Sequence, residues 1–83
     1  MRKLTYDNLF ASQLADLELH IPRIRQSLIG LIFALRKDPE SGTKLRKDAP
    51  VWFMPLPDLI ERPLGITYTF NDECIILLSI WIA

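Results

Sequence analysis

Cys74-Ile75-Ile76-Leu77-Leu78-Ser79-Ile80-Trp81-Ile82 is the stretch whose conformation decides the fold. If extended, it is apolar on both faces, the pattern of an interior strand covered on two sides. A helix needs about 20 apolar residues to cross a bilayer, so this segment is too short for a membrane span. Its neighbour lies immediately upstream. Leu64, Ile66, Tyr68 and Phe70 share one face of an extended segment, Thr67 and Thr69 lie on the other, and Asn71-Asp72-Glu73 is turn-prone. The two segments therefore read as antiparallel strands joined by a tight hairpin.

Further upstream, Val51-Trp52-Phe53-Met54 has strand-forming residues, while Pro50, Pro55 and Pro57 lack backbone donors and push that strand toward an edge. Before Gly42 the period is helical. Ile24, Leu28, Leu31 and Leu35 recur at i, i+4, i+7 and i+11, and Ile32 broadens the stripe. Pro22 suits the first turn, Arg36 and Lys37 complement the dipole in the last, and Asp38-Pro39-Glu40-Ser41-Gly42 stops the helix. Phe10, Leu14 and Leu17 give a second amphipathic helix from about Asn8 to Leu19, with Asp7 or Thr5 as its cap. A short link near His20 and Ile21 predicts an antiparallel helical hairpin. Leu4 and Tyr6 alternate with polar neighbours as a short first strand. The expected fold class is α+β: a short β-strand, an antiparallel helical hairpin, then a three-stranded antiparallel sheet (β-α-α-β-β-β), as one domain over residues 1–83.

The composition suits one small core. The chain has 83 residues, 49% hydrophobic and 24% charged, a mix that argues against disorder. Cys74 is the sole cysteine, so no internal disulfide forms and a cytoplasmic setting is expected. Met1 to Asn8 carries a basic pair with no apolar stretch behind it, unlike a secretory signal, and no membrane partner is expected. The formal net charge is zero, which counts against broad RNA affinity. The zero conceals a pattern: residues 23–48 carry seven cations against three anions, or +4, while residues 1–22 carry −1 and residues 49–83 carry −3.

Within that basic centre, Lys44, Arg46 and Lys47 form a cluster able to attract phosphate, or a solvated charge run that protects a sheet edge from pairing. Glu61 and Arg62 have the chemistry of a base and a phosphate clamp, but adjacent residues in an extended segment point to opposite faces and converge only in a turn. His20 reads as a helix-end residue and Cys74 as a small packed hydrophobe. No metal ligand spacing and no glycine-rich phosphate loop occur, so no metal or cofactor is expected. If Ile76, Leu78, Ile80 and Ile82 face the helices, Ile75, Leu77, Ser79 and Trp81 face outward, with Trp52 or Met54 nearby. That apolar face is an expected partner surface, unless the Pro55 to Pro63 loop covers it.

The order of elements, with Phe10, Leu14 and Leu17, Asp38-Pro39 with Gly42 and Leu45, Val51-Trp52, the strand Leu64-Gly65-Ile66-Thr67-Tyr68, and Asp72-Glu73 before Ile75-Ile76-Leu77-Leu78, resembles the RelE/ParE toxin superfamily of bacterial toxin–antitoxin systems. The resemblance implies one of two activities, mRNA cleavage on the ribosome or binding to DNA gyrase. It places Lys44, Arg46 and Lys47 where family nucleases hold cations toward RNA. The chain departs from the nuclease pattern at Gly65 and Pro55, where arginines are common, and it ends at Ala83, before the segment that carries a terminal His or Tyr. The resemblance therefore implies a toxin component acting mainly by protein binding, its partner a cognate antitoxin or a second copy. The alternatives are a ribosome-dependent mRNA endoribonuclease, with Arg46 and Arg62 as clamps and Glu61 as base, and a degenerate, non-toxic homodimeric relative.

Overall fold

The structure is a computed structural model that describes residues 2–45, 47–56 and 64–82. Strand β1 (Lys3–Tyr6) leads through Asp7 into helix α1 (Asn8–Glu18), and helix α2 (Ile24–Lys37) follows after a five-residue turn. A 3-10 turn (Pro39–Ser41) then precedes strands β2 (Thr43–Lys44), β3 (Trp52–Pro55), β4 (Leu64–Phe70) and β5 (Cys74–Ile82). The Asp7 carboxylate accepts the Asn8 N–H at 2.8 Å, capping α1. Arg36 and Lys37 lie in the last turn of α2, and Asp38 leaves the helical conformation to cap the 3-10 turn through Glu40 N–H at 3.1 Å.

The architecture is α+β, with two helices against a five-stranded mixed sheet in the order β1-β5-β4-β3-β2. This corrects the expected three-stranded antiparallel sheet in two places. First, β1 joins the sheet, pairing in parallel with β5 from Lys3 opposite Cys74 to Tyr6 opposite Leu77. An interior strand with apolar side chains on both faces needs a hydrogen-bonding neighbour on each edge, and β4 fills only one. Second, Thr43 and Lys44 add a two-residue strand antiparallel to Phe53 and Trp52. The β4–β5 hairpin is as the sequence predicts. Asn71 Oδ1 accepts the N–H groups of Glu73 and Cys74, each at 2.8 Å, which closes the turn.

The core lies between the helices and one sheet face. It joins Phe10 of α1 and Ile24, Leu28, Leu31 and Leu35 of α2 to Leu64, Ile66 and Tyr68 of β4 and Ile75, Leu77 and Ile80 of β5. The β4 positions follow the expected alternation. Those of β5 do not. Thr67 stands opposite Ser79, but Tyr68 stands opposite Leu77, so Leu78 is an extra residue that shifts the register by one. The shift reverses the alternation, and Ile75 and Leu77 enter the core on the same face as Ile80. The outward placement expected of Ile75 and Leu77 is thereby corrected. They are 0% and 1% exposed.

Tyr68 ties the sheet to the end of α2. Its side chain is fully buried, and its hydroxyl donates to the Pro39 carbonyl at 2.6 Å. Gly42 passes so close that a Cβ there would meet the Tyr68 hydroxyl and stand 2.7 Å from the Phe53 carbonyl oxygen. Only glycine fits without displacing backbone. Burial pushes the Tyr68 phenol above its ordinary value of 10.0, hydrogen bonding with the Gly42 backbone opposes that, and the Asp38 carboxylate adds to it.

Candidate protein-docking groove

An apolar groove of about 270 Å³ opens between β1, α1 and α2. Its floor is formed by core residues Phe10, Leu28 and Leu77, and its walls by Tyr6 on β1, Leu14 on α1 and Ile29 on α2. The helical period explains why α2 contributes. With Ile24, Leu28, Leu31 and Leu35 turned into the core, Arg25, Ile29, Phe33 and Lys37 recur every fourth residue on an exposed stripe. Ile29 is 68% exposed and Tyr6 62%, both lining the groove beside the edge strand β1, and Phe33, 54% exposed, continues the stripe one turn further along α2.

Cations flank this stripe at both ends. Arg25 Nε is 2.5 Å from Glu18 Oε1, which fastens α2 to the end of α1, and the Arg25 side chain stays largely exposed. Lys37 Nζ stands 4.7 Å from the centre of the Phe33 ring, a cation–π contact. Tyr6 packs against Phe10 with ring centres 6.1 Å apart, so the groove wall rests on the core. A surface of this kind suits the apolar side of a partner segment whose flanks carry carboxylates.

The residues singled out from the sequence are distributed otherwise. Trp52 lies opposite Tyr68, half-buried on the core side of the sheet, with its ring 5.5 Å from Phe70. Trp81 pairs with Gly65 through its backbone, and its side chain lies outside the described part. Lys44 is on the β2 edge and Lys47 in the following bend, both exposed. Arg46, Glu61 and Arg62 lie outside the described residues. His20 is exposed in the turn after α1, and its backbone N–H donates to Leu17 at 3.0 Å. Among the described residues, no group of three or more His, Cys, Asp or Glu side chains is placed to hold a metal ion, and no helix is long and apolar enough to cross a membrane.

The groove residues Tyr6 and Ile29, and Phe33 one turn further along α2, do not stand out as site residues in the sequence. The signal was present: Ile29 and Phe33 are large apolar residues one turn apart, off the core stripe of α2. Comparison with known proteins gave no match to any protein-family model or to any curated protein.

Proposed function

We propose that the chain is a RelE/ParE-like toxin component that acts by protein binding, and that the groove between β1, α1 and α2 receives an acidic amphipathic segment of its antitoxin. The observation that carries the reading is the exposed apolar stripe of Ile29 and Phe33 between Arg25 and Lys37, with Ile29 lining the same groove as Tyr6 of the edge strand. The succession of strand, two helices and then antiparallel strands supports the family part of the reading.

Gly65 favours binding over RNA cleavage. A Cβ at this position would run into the Phe53 ring, so the arginine common there in family nucleases has no room while Phe53 keeps its place. The cleavage reading keeps exposed Lys44 and Lys47 as its support, since clustered cations attract phosphate.

The test is induced expression in a bacterial host, with and without the product of the neighbouring gene. The wild-type chain is expected to arrest growth and the neighbouring product to relieve the arrest. The Ile29→Glu, Phe33→Glu double variant should still fold and still arrest growth, because both side chains are exposed, but relief should be lost as carboxylates meet an acidic segment. Absence of arrest by the wild-type chain refutes the toxin reading. Undiminished relief of the variant refutes the groove as the antitoxin site.

A further inference from the structure

A second cleft, of about 810 Å³, opens where the start of β1, the last turn of α2 and the β4–β5 hairpin meet, lined by Arg2, Lys3, Arg36, Asp72, Glu73 and Cys74. Its charges are segregated by depth. Arg2 and Arg36 are half-buried, whereas Lys3, Asp72 and Glu73 are exposed. The carboxylates are therefore solvated at the rim, and the interior is cationic.

Among the described residues, neither guanidinium makes an ion pair. The described residues contain one ion pair, Arg25 with Glu18, and it lies at the other end of α2. Arg36 Nε is closed off from solvent and has no hydrogen-bond partner. A buried donor without an acceptor is uncommon in folded proteins, and two unpaired guanidiniums lining one cleft repel each other. Arg2 is held in place despite this. Its Nε donates to the Asn71 carbonyl at 2.7 Å and its guanidinium lies 5.7 Å from the centre of the Phe70 ring. Asn71 is in turn fixed by the hairpin hydrogen bonds to Glu73 and Cys74.

We propose that this cleft binds a phosphate dianion, either free or as a phosphomonoester. A dianion balances Arg2 and Arg36 together, and the planar guanidinium fork matches phosphate oxygens in a bidentate pair. Arg36 turns into the cleft so that Nε and a terminal nitrogen donate side by side, which gives the orphaned Nε–H its acceptor. Arg2 donates through its terminal nitrogens while Nε keeps Asn71. The cleft volume leaves space beside the phosphate for the alcohol part of an ester. This site is independent of the docking groove and of the toxin reading.

The experiment is an amide-resolved NMR titration of the full chain with inorganic phosphate, and in a second arm with glycerol phosphate, at ionic strength matched by sodium chloride. Saturable shifts are expected at residues 2–3, 36 and 71–74 in both arms. Tighter binding of glycerol phosphate identifies the ester as the ligand, and equal binding identifies the free anion. Arg36→Gln is expected to weaken binding by roughly ten- to a hundredfold, the range for a lost charged hydrogen bond, with partial recovery in Arg36→Lys. Asp72→Asn should strengthen it by removing a rim carboxylate. Arg23→Gln, before the first turn of α2, should change nothing. Where Arg36→Gln does not fold, Lys3→Gln at an exposed position of β1 replaces it, with weaker binding expected. Shifts reproduced by chloride alone, or Arg36→Gln binding within twofold of wild type, overturn the site.

Discussion

Replacing Tyr68 by phenylalanine should lower stability by about 1–3 kcal/mol at neutral pH, and the loss should shrink as pH rises above about 10. The first number follows from what the hydroxyl does. It is buried and donates to the Pro39 carbonyl at 2.6 Å, and Pro39 is itself buried, so Tyr68→Phe leaves an acceptor with no water to replace its partner. An unsatisfied buried acceptor costs about 1–3 kcal/mol. Taking about 1.5 kcal/mol, and about 4–8 °C per kcal/mol for a domain of this size, the midpoint of thermal unfolding falls by roughly 6–12 °C. The second part follows from linkage. Burial raises the folded-state pKa above the ordinary value of 10.0, so both states hold the proton below that pH and the shift has no effect there. Above it the unfolded chain ionises while the folded chain resists, and wild-type stability falls by up to about 1.4 kcal/mol per pH unit until the folded phenol also ionises. The phenylalanine variant lacks this loss, whereas exposed Tyr6 is present in both proteins and cancels. Urea unfolding of both chains at pH 7, 9, 10 and 11 measures the difference. A gap that is negligible at pH 7, or that stays constant through pH 11, refutes the structural role assigned to this hydroxyl.

Gly42→Ala should destabilise the chain by about 1–3 kcal/mol, since the new methyl meets the Tyr68 hydroxyl and the Phe53 carbonyl. Because Tyr68→Phe removes one of those obstacles, the double variant should fall short of the sum of the single losses, which a urea double-mutant cycle reads directly. Gln13→Ala should cost about 1 kcal/mol, because Gln13 Oε1 accepts the Ile80 N–H at 2.9 Å beyond the point where β1 stops pairing with β5. Faster hydrogen exchange at the Ile80 amide would report it, and unchanged exchange would count against that contact.

Most of the elements were legible because their periods are unambiguous. The four core positions of α2 recur without interruption, and β4 alternates Leu, Ile and Tyr against Thr, so the face of each that meets the core is readable. The edges of the sheet were less visible. Thr43 and Lys44 carry no strand pattern, since two residues define no alternation, and they are extended because β3 offers Phe53 and Trp52 as partners. The first strand was recognisable from Leu4 and Tyr6, but its parallel place beside β5 depends on a crossover through both helices that no local pattern encodes. The candidate site was the least legible part. A docking surface has no required residue spacing, and its residues are found by subtracting the core from what is apolar.

The β5 bulge decides which aliphatic side chains of the strand enter the core. Ile75, Ile76, Leu77 and Leu78 are equally apolar in either phase, so the sequence cannot choose which pair enters the core. The choice falls to the register with β4, where one extra residue sets Tyr68 opposite Leu77. With Ile75 and Leu77 in the core, Ile76 turns to the outer face opposite Thr69, next to the Thr67–Ser79 hydroxyl pair, which faces outward in either phase. Among the described residues, the large apolar side chains left exposed include Ile29 and Phe33 in the helical layer and Tyr6 on the β1 edge, together with Leu9, Leu19 and Leu45. A one-residue insertion thus exchanges which aliphatic side chains of β5 enter the core, while the exposed stripe of α2 is a separate surface. It also predicts that deleting Leu78, the extra residue, leaves Leu77 and Ile75 in plain alternation with Ile80 on the core face, so the variant should still unfold cooperatively in urea, and a chain that no longer folds would refute the register argument.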